Sequence, residues 1–256
     1  MTKKLIAFDL DGTLLNDQRQ VTERNKKLIR QLQAEGHFVM IATGRSLSTS
    51  RGVIEESGIH HYALCNGGYA FVNHQLSYEK PLPKSDLVEL MSLCNEWQLD
   101  AIYHSIEGIK SNRKLLDPVL KARLKAMYGA ELGQGVDIEQ DTIFQATIYI
   151  TVEQQKKFEK NLDRVRLTRW GDGADAIPAS SSKAKTIHVL AQKHGIKPKN
   201  IITFGDGEND IEMLKEAGTG IAMANASAMV KASADIVTKS NEEDGIYCAL
   251  KELELI

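Results

Sequence analysis

Four short apolar runs in this chain stop at polar turns, and that punctuation constrains the fold more than any other feature. Lys4–Phe8 gives way to Asp9-Leu-Asp11-Gly12-Thr13, Phe38–Ala42 to Thr43-Gly44-Arg45, His61–Cys65 to Asn66-Gly67-Gly68, and Asn200–Phe204 to Gly205-Asp206-Gly207. Runs this short and this apolar predict strands buried on both faces. Between the first and second, Val21–Glu35 carries Val21, Leu28, Ile29 and Leu32 at helical spacing, opened by Thr22 as a cap and closed by Gly36. Ser46–Ser57 predicts a second helix. Strand and helix alternate, the pattern of a parallel α/β sheet.

After Gly68 the rhythm changes. Tyr69–Tyr78 predicts a hairpin, Pro81 and Pro83 interrupt the chain, and a helix follows near Asp86–Gln98. Up to Ser182 the pattern holds apparent hairpins (Ala101–Ser105 with Ile109–Asn112; Val165–Trp170 with Ala174–Ile177) and three helical stretches, which suggests a separate α+β unit. From Lys183 the alternation resumes, with strands at Asn200–Phe204, Gly220–Met223 and Asp235–Thr238. The expected organisation is a discontinuous Rossmann-like α/β core, residues 1–82 and 183–256, with an α+β unit inserted at 83–182. Ser180-Ser181-Ser182 reads as a hinge.

Composition narrows the classes. The 256 residues carry 32 Lys+Arg against 34 Asp+Glu, a formal charge of −2, so no basic surplus points to nucleic acid. A 42% hydrophobic fraction excludes a disordered chain. The apolar run after Lys3-Lys4 is too short for an export signal, and no run of about 18 apolar residues would span a bilayer. Cys65, Cys94 and Cys248 are widely spaced without a C-x-x-C pair, which fits a reducing cytoplasm. The seven histidines show no metal-ligand spacing, and His60-His61 reads as an exposed turn.

In an open parallel sheet, ligands bind beyond the carboxyl ends of the strands. The segments expected there bring together Asp9, Asp11, Asp206 and Asp210 with Thr43 and Lys183. Acids at that density repel unless a cation neutralises them, and hard carboxylate oxygens favour Mg²⁺ over zinc. A lysine and a hydroxyl beside the metal supply what a transferred phosphoryl group needs. A carboxylate attacking a phosphate dianion meets repulsion on the order of 4 kcal/mol per charge pair at about 4 Å and an effective dielectric of about 20, which metal and lysine must offset. Each segment alone is an ordinary turn or helix start; their joint placement where strand yields to helix, or where the insert returns, carries the inference.

These residues resemble the haloacid dehalogenase superfamily of phosphatases, whose four motifs match Asp9-Leu-Asp-Gly-Thr-Leu-Leu15, Thr43, Lys183 and Gly205-Asp206-Gly-Glu-Asn209-Asp210. Ala42-Thr-Gly-Arg45, Asn66-Gly67-Gly68 and the placement of the insert resemble the Cof-type subfamily. The resemblance implies that Asp9 attacks phosphorus to form an aspartyl-phosphate, and that Asp11 protonates the leaving alcohol and then deprotonates water. It implies Mg²⁺ held by Asp9, Asp206 and the main-chain carbonyl of Asp11, with Asp210 orienting this set from behind. The phosphoryl oxygens would be bound by Thr43, the backbone around Leu10 and Gly44, Lys183 and Asn209. The family's third motif usually reads Lys-Gly; here Ala184 follows Lys183, and Lys185 is a neighbouring alternative.

The insert would be a mobile cap that selects the substrate. Tyr103, His104, Arg113 and Trp170 could meet a ligand there, although packing or solvent accounts for each. The implied activity is hydrolysis of small phosphorylated metabolites such as sugar phosphates or phosphorylated cofactors. A phosphomutase or phosphotransferase would use the same intermediate. A receiver-like signalling module is a third reading, disfavoured by Asp11 and by the large insert.

Overall fold

The computed structural model describes residues 2–111, 118–128 and 132–256. In chain order the described residues form β1 (Leu5–Phe8), α1 (Glu23–Ala34), β2 (Phe38–Ala42), α2 (Leu47–Ser57), β3 (His61–Leu64) and a hairpin of β4 (Tyr69–Val72) and β5 (Gln75–Glu79). There follow α3 (Lys84–Glu96), β6 (Ala101–His104), β7 (Ile109–Ser111), α4 (Pro118–Tyr128), β8 (Leu132–Gln134), β9 (Gln145–Tyr149), α5 (Val152–Phe158), β10 (Val165–Trp170) and β11 (Gly173–Pro178). The chain ends with α6 (Lys183–Lys193), β12 (Ile201–Gly205), α7 (Ile211–Glu216), β13 (Thr219–Ala222), α8 (Ala228–Lys231), β14 (Ile236–Val237) and α9 (Gly245–Glu252).

Two sheets result. The first has eight strands in the order β14-β13-β12-β1-β2-β3-β4-β5. Its strands run parallel from β14 to β3, and β4 pairs antiparallel with both β3 and β5. β1 is its switch point, because the chain builds outward to β2 and β3 on one side and later to β12 and β13 on the other. The α/β class expected from the alternation is therefore present. β1, β2 and β12 are buried along their whole length, with Leu5, Ile6, Ala7, Val39, Met40 and Phe204 fully inaccessible, as strands covered by helices on both faces must be.

The second sheet has six strands in the order β10-β11-β9-β6-β7-β8. Its pairs are antiparallel except β7 with β8. One face packs on α3 and α5 through Leu87, Leu90, Tyr103, Ala146, Ile148 and Phe158. The other looks toward the first sheet. β8 and β9 were not expected from the sequence, yet β9 pairs with both β6 and β11 and is central to this layer.

Two local expectations change. Ser181 and Ser182 are buried rather than hinge-like: Ser181 Oγ donates to Gly67 O (3.2 Å), and Ser182 caps α6 by accepting from Lys185 N (3.2 Å). His61 is not in an exposed turn but opens β3, its ring stacked on Phe38 at 4.1 Å, while His60 is exposed. Tyr103 lies in the core of the second layer, because alternation along β6 sends it away from the face that carries His104. Arg113 lies outside the described residues.

Burial lowers the imidazole of His104 to about 4 from its ordinary 6.5. Between those values the unfolded chain binds a proton that the folded chain refuses, so the ring's contribution to stability is full above pH 6.5 and is lost as pH falls toward 4. Urea unfolding of the native chain and of His104→Asn should therefore show a stability difference that shrinks between about pH 7.5 and about pH 5; a difference independent of pH would contradict a neutral buried ring.

Candidate active site

β1 and β12 end side by side, with Phe8 in register with Phe204, and the Asp9 amide donates to Phe204 O at 3.0 Å. The next residue of each strand thus reaches the same edge. Past Asp9 the chain makes a wide turn, closed by Leu14 N to Asp9 O (3.2 Å) and Leu15 N to Leu10 O (2.9 Å). Gly12 takes φ 78°, and a Cβ there would stand 2.3 Å from Asp206 Oδ2. Only glycine meets both demands. Thr13 Oγ1 then donates to Asp206 Oδ1 at 2.7 Å, tying the first acidic turn to the fourth.

Lys183 opens α6 with its side chain 1% exposed. A cation at a helix N-terminus opposes the helix dipole, and a buried ammonium requires partners. It has two: Nζ donates to Asp9 Oδ1 and to Asp210 Oδ1, each at 2.7 Å. Burial alone would lower this ammonium, but Asp210 and Asp9 outweigh it and hold it above its ordinary range. Lys185, the alternative, turns away and donates to Ser180 O at 3.1 Å. Ala184 is buried in the core against the sheet, so the departure from Lys-Gly leaves the lysine's position intact.

Asp210 is fully buried and fully used, since its Oδ2 also accepts from the amides of Asp206 (3.0 Å) and Gly207 (2.9 Å). It shapes the loop from behind. Asp9 is raised well above the usual carboxylate range, by burial first; Lys183 opposes this, and the neighbouring carboxylates of Asp210, Asp206 and Asp11 add to it. Asp206 is pushed up to about 6, again by burial first. Carboxyl oxygens of Asp9, Asp206 and Asp210 lie within 4.8 Å of one another. Hard oxygens at this spacing, with anionic forms disfavoured by burial and by each other, fit a small divalent cation.

The Asp9 carboxyl opens onto a cavity of about 390 Å³. From the first sheet's loops it is lined by Asp9, Asp11, Thr43, Gly44, Arg45 and Asn209. Leu10 does not line it, because its side chain is fully buried in the core. Asp11 is paired in a bidentate manner with Arg45, whose Nε donates to Oδ2 at 2.7 Å and whose Nη2 donates to Oδ1. The far wall is the second sheet: Ile102, His104, Gln145, Thr147, Tyr149, Trp170 and Asp175.

Several of these residues escaped the sequence reading. Gln145, Thr147 and Tyr149 alternate along β9 with the core residues Ala146 and Ile148, a period-two signal in Gln-Ala-Thr-Ile-Tyr that was available. Asp175 is an anion set between Ala174 and Ala176 in a strand, a residue type depleted there unless something requires it. Asn66 was noted only as part of a turn. Its backbone is left-handed at φ 52°, and its amide meets Asn209, Gln145 and Asp175.

The sequence model of haloacid dehalogenase-like hydrolases matches residues 6–250. The chain belongs to that family. Among relatives of this haloacid dehalogenase-like chain, the protein YkrA of Bacillus subtilis, named only provisionally as a phosphatase, is 33% identical over 259 residues, with all of both chains covered. The 5-amino-6-(5-phospho-D-ribitylamino)uracil phosphatase YcsE of the same organism is 30% identical, covering 97% of this chain and 94% of its own. Among solved structures, the subclass IIB sugar phosphatase BT4131 superposes with a TM-score of 0.89 at 28% identity, covering 99% of this chain and all of the other. The chain is thus a phosphatase of the superfamily, a hydrolase of phosphoric monoesters.

Gly12→Ala should lose about 100-fold in turnover, because it displaces Asp206 from Asp9, and should cost about 1–3 kcal/mol through the positive φ. Steady-state kinetics with urea unfolding checks both; a fully active, equally stable variant would contradict the close approach.

Proposed function

We propose that the chain is a Mg²⁺-dependent phosphatase that hydrolyses phosphomonoesters of small metabolites, sugar phosphates or phosphorylated cofactors, through an aspartyl-phosphate on Asp9. The observation that carries this is Lys183, buried between Asp9 and Asp210 directly behind the cavity that Asp9 lines. Lys183 occupies Oδ1 of Asp9 and leaves Oδ2 to attack phosphorus. Thr43, the backbone of Gly44 and Asn209 face the same space and would bind phosphoryl oxygens, with the backbone at Leu10 and the Lys183 ammonium beside them.

Asp9, Asp206 and the carbonyl of Asp11 would hold Mg²⁺, with Asp210 fixing the loop that carries Asp206. When bound, the ion supplies positive charge against the repulsion between carboxylate and phosphate. Asp11 would protonate the leaving oxygen and then take a proton from water; its pairing with Arg45 holds it at the cavity wall until a substrate enters.

The substrate class rests on the walls. We assign residues 83–182 the part of a cap over residues 1–82 and 183–256. Its inner face brings Ile102, Tyr149 and Trp170 together with a few polar groups, an arrangement that suits one small organic leaving group. A space of about 390 Å³ enclosed on both sides does not admit a folded phosphoprotein or a duplex. The relatives named above act, by their names, on a ribitylaminouracil phosphate and on sugar phosphates. Among the described residues no helix is long and apolar enough to cross a membrane, and with the cysteine pattern this supports a cytoplasmic setting.

Asp9→Asn should fall below about one-thousandth of native turnover of p-nitrophenyl phosphate while folding normally, because an amide cannot attack. Full activity in that variant would refute the assignment. Removing Mg²⁺ with EDTA should abolish turnover, and readdition should restore it. Lys183→Ala should lose far more activity than Lys185→Ala and should destabilise by about 3–5 kcal/mol, since it strips buried acids of their counter-charge; equal losses would place the third motif elsewhere.

A further inference from the structure

The wall opposite Asp9 contains a carboxylate that the chemistry above does not use. Asp175, on β11, is nine-tenths buried, and among the described residues its hydrogen-bond donors are neutral. Its Oδ1 accepts from Thr147 Oγ1 (2.8 Å) and Trp170 Nε1 (3.1 Å), and its Oδ2 from Asn66 Nδ2 (3.0 Å). The first two donors belong to its own sheet. Asn66 belongs to the other one, in the loop after β3.

A carboxylate can only accept, so Asn66 must turn its NH₂ toward Asp175. The same NH₂ donates to Gln145 Oε1 at 2.9 Å, and Gln145 in turn donates through Nε2 to Gly44 O at 3.0 Å. With its NH₂ committed to the second sheet, Asn66 has its carbonyl oxygen left for the first. That oxygen accepts from Asn209 Nδ2 at 2.9 Å. An amide that could otherwise flip is thereby fixed, and it fixes the next amide in line. Asn66 cannot slide away, because Gly67 is clamped: Thr186 Oγ1 (2.7 Å) and Ser181 Oγ (3.2 Å) both donate to its carbonyl.

We infer that Asp175 and Gln145 are positioning residues, which through Asn66 orient the Asn209 amide and so make the grip on the phosphoryl group depend on the second sheet being seated. The inference rests on the reading of Asn209 as a phosphoryl ligand. It adds that affinity for phosphate is set in part by side chains that never touch it. Burial also raises Asp175 to about 6, opposed by the Thr147, Trp170 and Asn66 hydrogen bonds and by the charge of Lys183.

Asp175→Asn is the diagnostic change because it keeps shape and removes the acceptor-only character. If the new NH₂ faces Trp170, two donors oppose each other. If it faces Asn66, that amide must flip, and Asn209 must flip with it. Inorganic phosphate, as a competitive inhibitor of p-nitrophenyl phosphate hydrolysis, reports the grip directly. We expect its inhibition constant to rise about tenfold in Asp175→Asn. Adding Asp175→Asn to Asn209→Ala should then change it by less than about twofold, because the relay has lost its end.

Asn66→Gly provides an independent arm should Asp175→Asn fold poorly, since glycine suits the left-handed backbone there. It should show the same tenfold loss and the same lack of effect beside Asn209→Ala. Losses that multiply with that of Asn209→Ala would overturn the relay. Unchanged phosphate affinity in Asp175→Asn and Asn66→Gly beside a weakened Asn209→Ala would overturn it while leaving Asn209 as a ligand. Unchanged affinity in Asn209→Ala would remove both the ligand and the relay.

Discussion

A single ammonium group, Lys183 Nζ, holds the site together. It stands inaccessible between two carboxylates drawn from opposite ends of the sequence, and its two contacts of 2.7 Å fix Asp9 against Asp210. Asp210 then shapes the loop carrying Asp206 through two backbone amides, and Asp206 reaches back to Thr13 in the first turn. The circuit closes on itself: three acidic positions, one lysine and one hydroxyl, each constrained by the next. Such a buried cluster contributes little net stability, because desolvation consumes most of the Coulombic gain. Its value lies in geometry, with reactive oxygens oriented before any ligand arrives.

The sheet makes the meeting unavoidable. β1 lies between strands built before and after the long excursion to the second layer, so the turns after β1 and β12 share one edge whatever the intervening chain does. The carboxylates arrive raised by burial and by mutual repulsion, a state that a hard divalent ion relieves. Bringing an anionic substrate here is costly for the same reason. The wall of the second sheet, apolar except for a few placed acceptors and donors, lowers the polarity beside those fixed charges and makes them count for more.

Much of the first sheet could be read in advance, because buried parallel strands are short, apolar and punctuated, and the punctuation is where the chemistry sits. Phe38–Ala42 and the Thr22 cap match the structure residue for residue. The second sheet was harder. One of its faces lines the cavity, so Gln145, Thr147 and Asp175 break the apolar pattern that would have marked β9 and β11 as central strands. Local sequence also could not say that Asn66 turns toward residues 79 and 109 positions away, since such contacts are properties of the assembled layers. The serine run misled for a related reason: small polar residues suggest freedom, but these two are spent on a cap and on a neighbouring carbonyl.

The return of the chain from the second sheet to the first is short. β11 ends at Pro178 and α6 begins at Lys183, with Ser181 and Ser182 already anchored between them. The outgoing crossing, around Lys80–Pro83, is tied down as well, by Lys80 N to Gly68 O (2.6 Å) and by Leu82, whose amide donates to Ile143 O (2.8 Å) and whose side chain is buried in the second layer, but none of its residues lines the cavity. An inserted residue in the downstream crossing would therefore displace Lys183 from both of its carboxylates, whereas one in the upstream crossing would be felt first in the packing of the second layer.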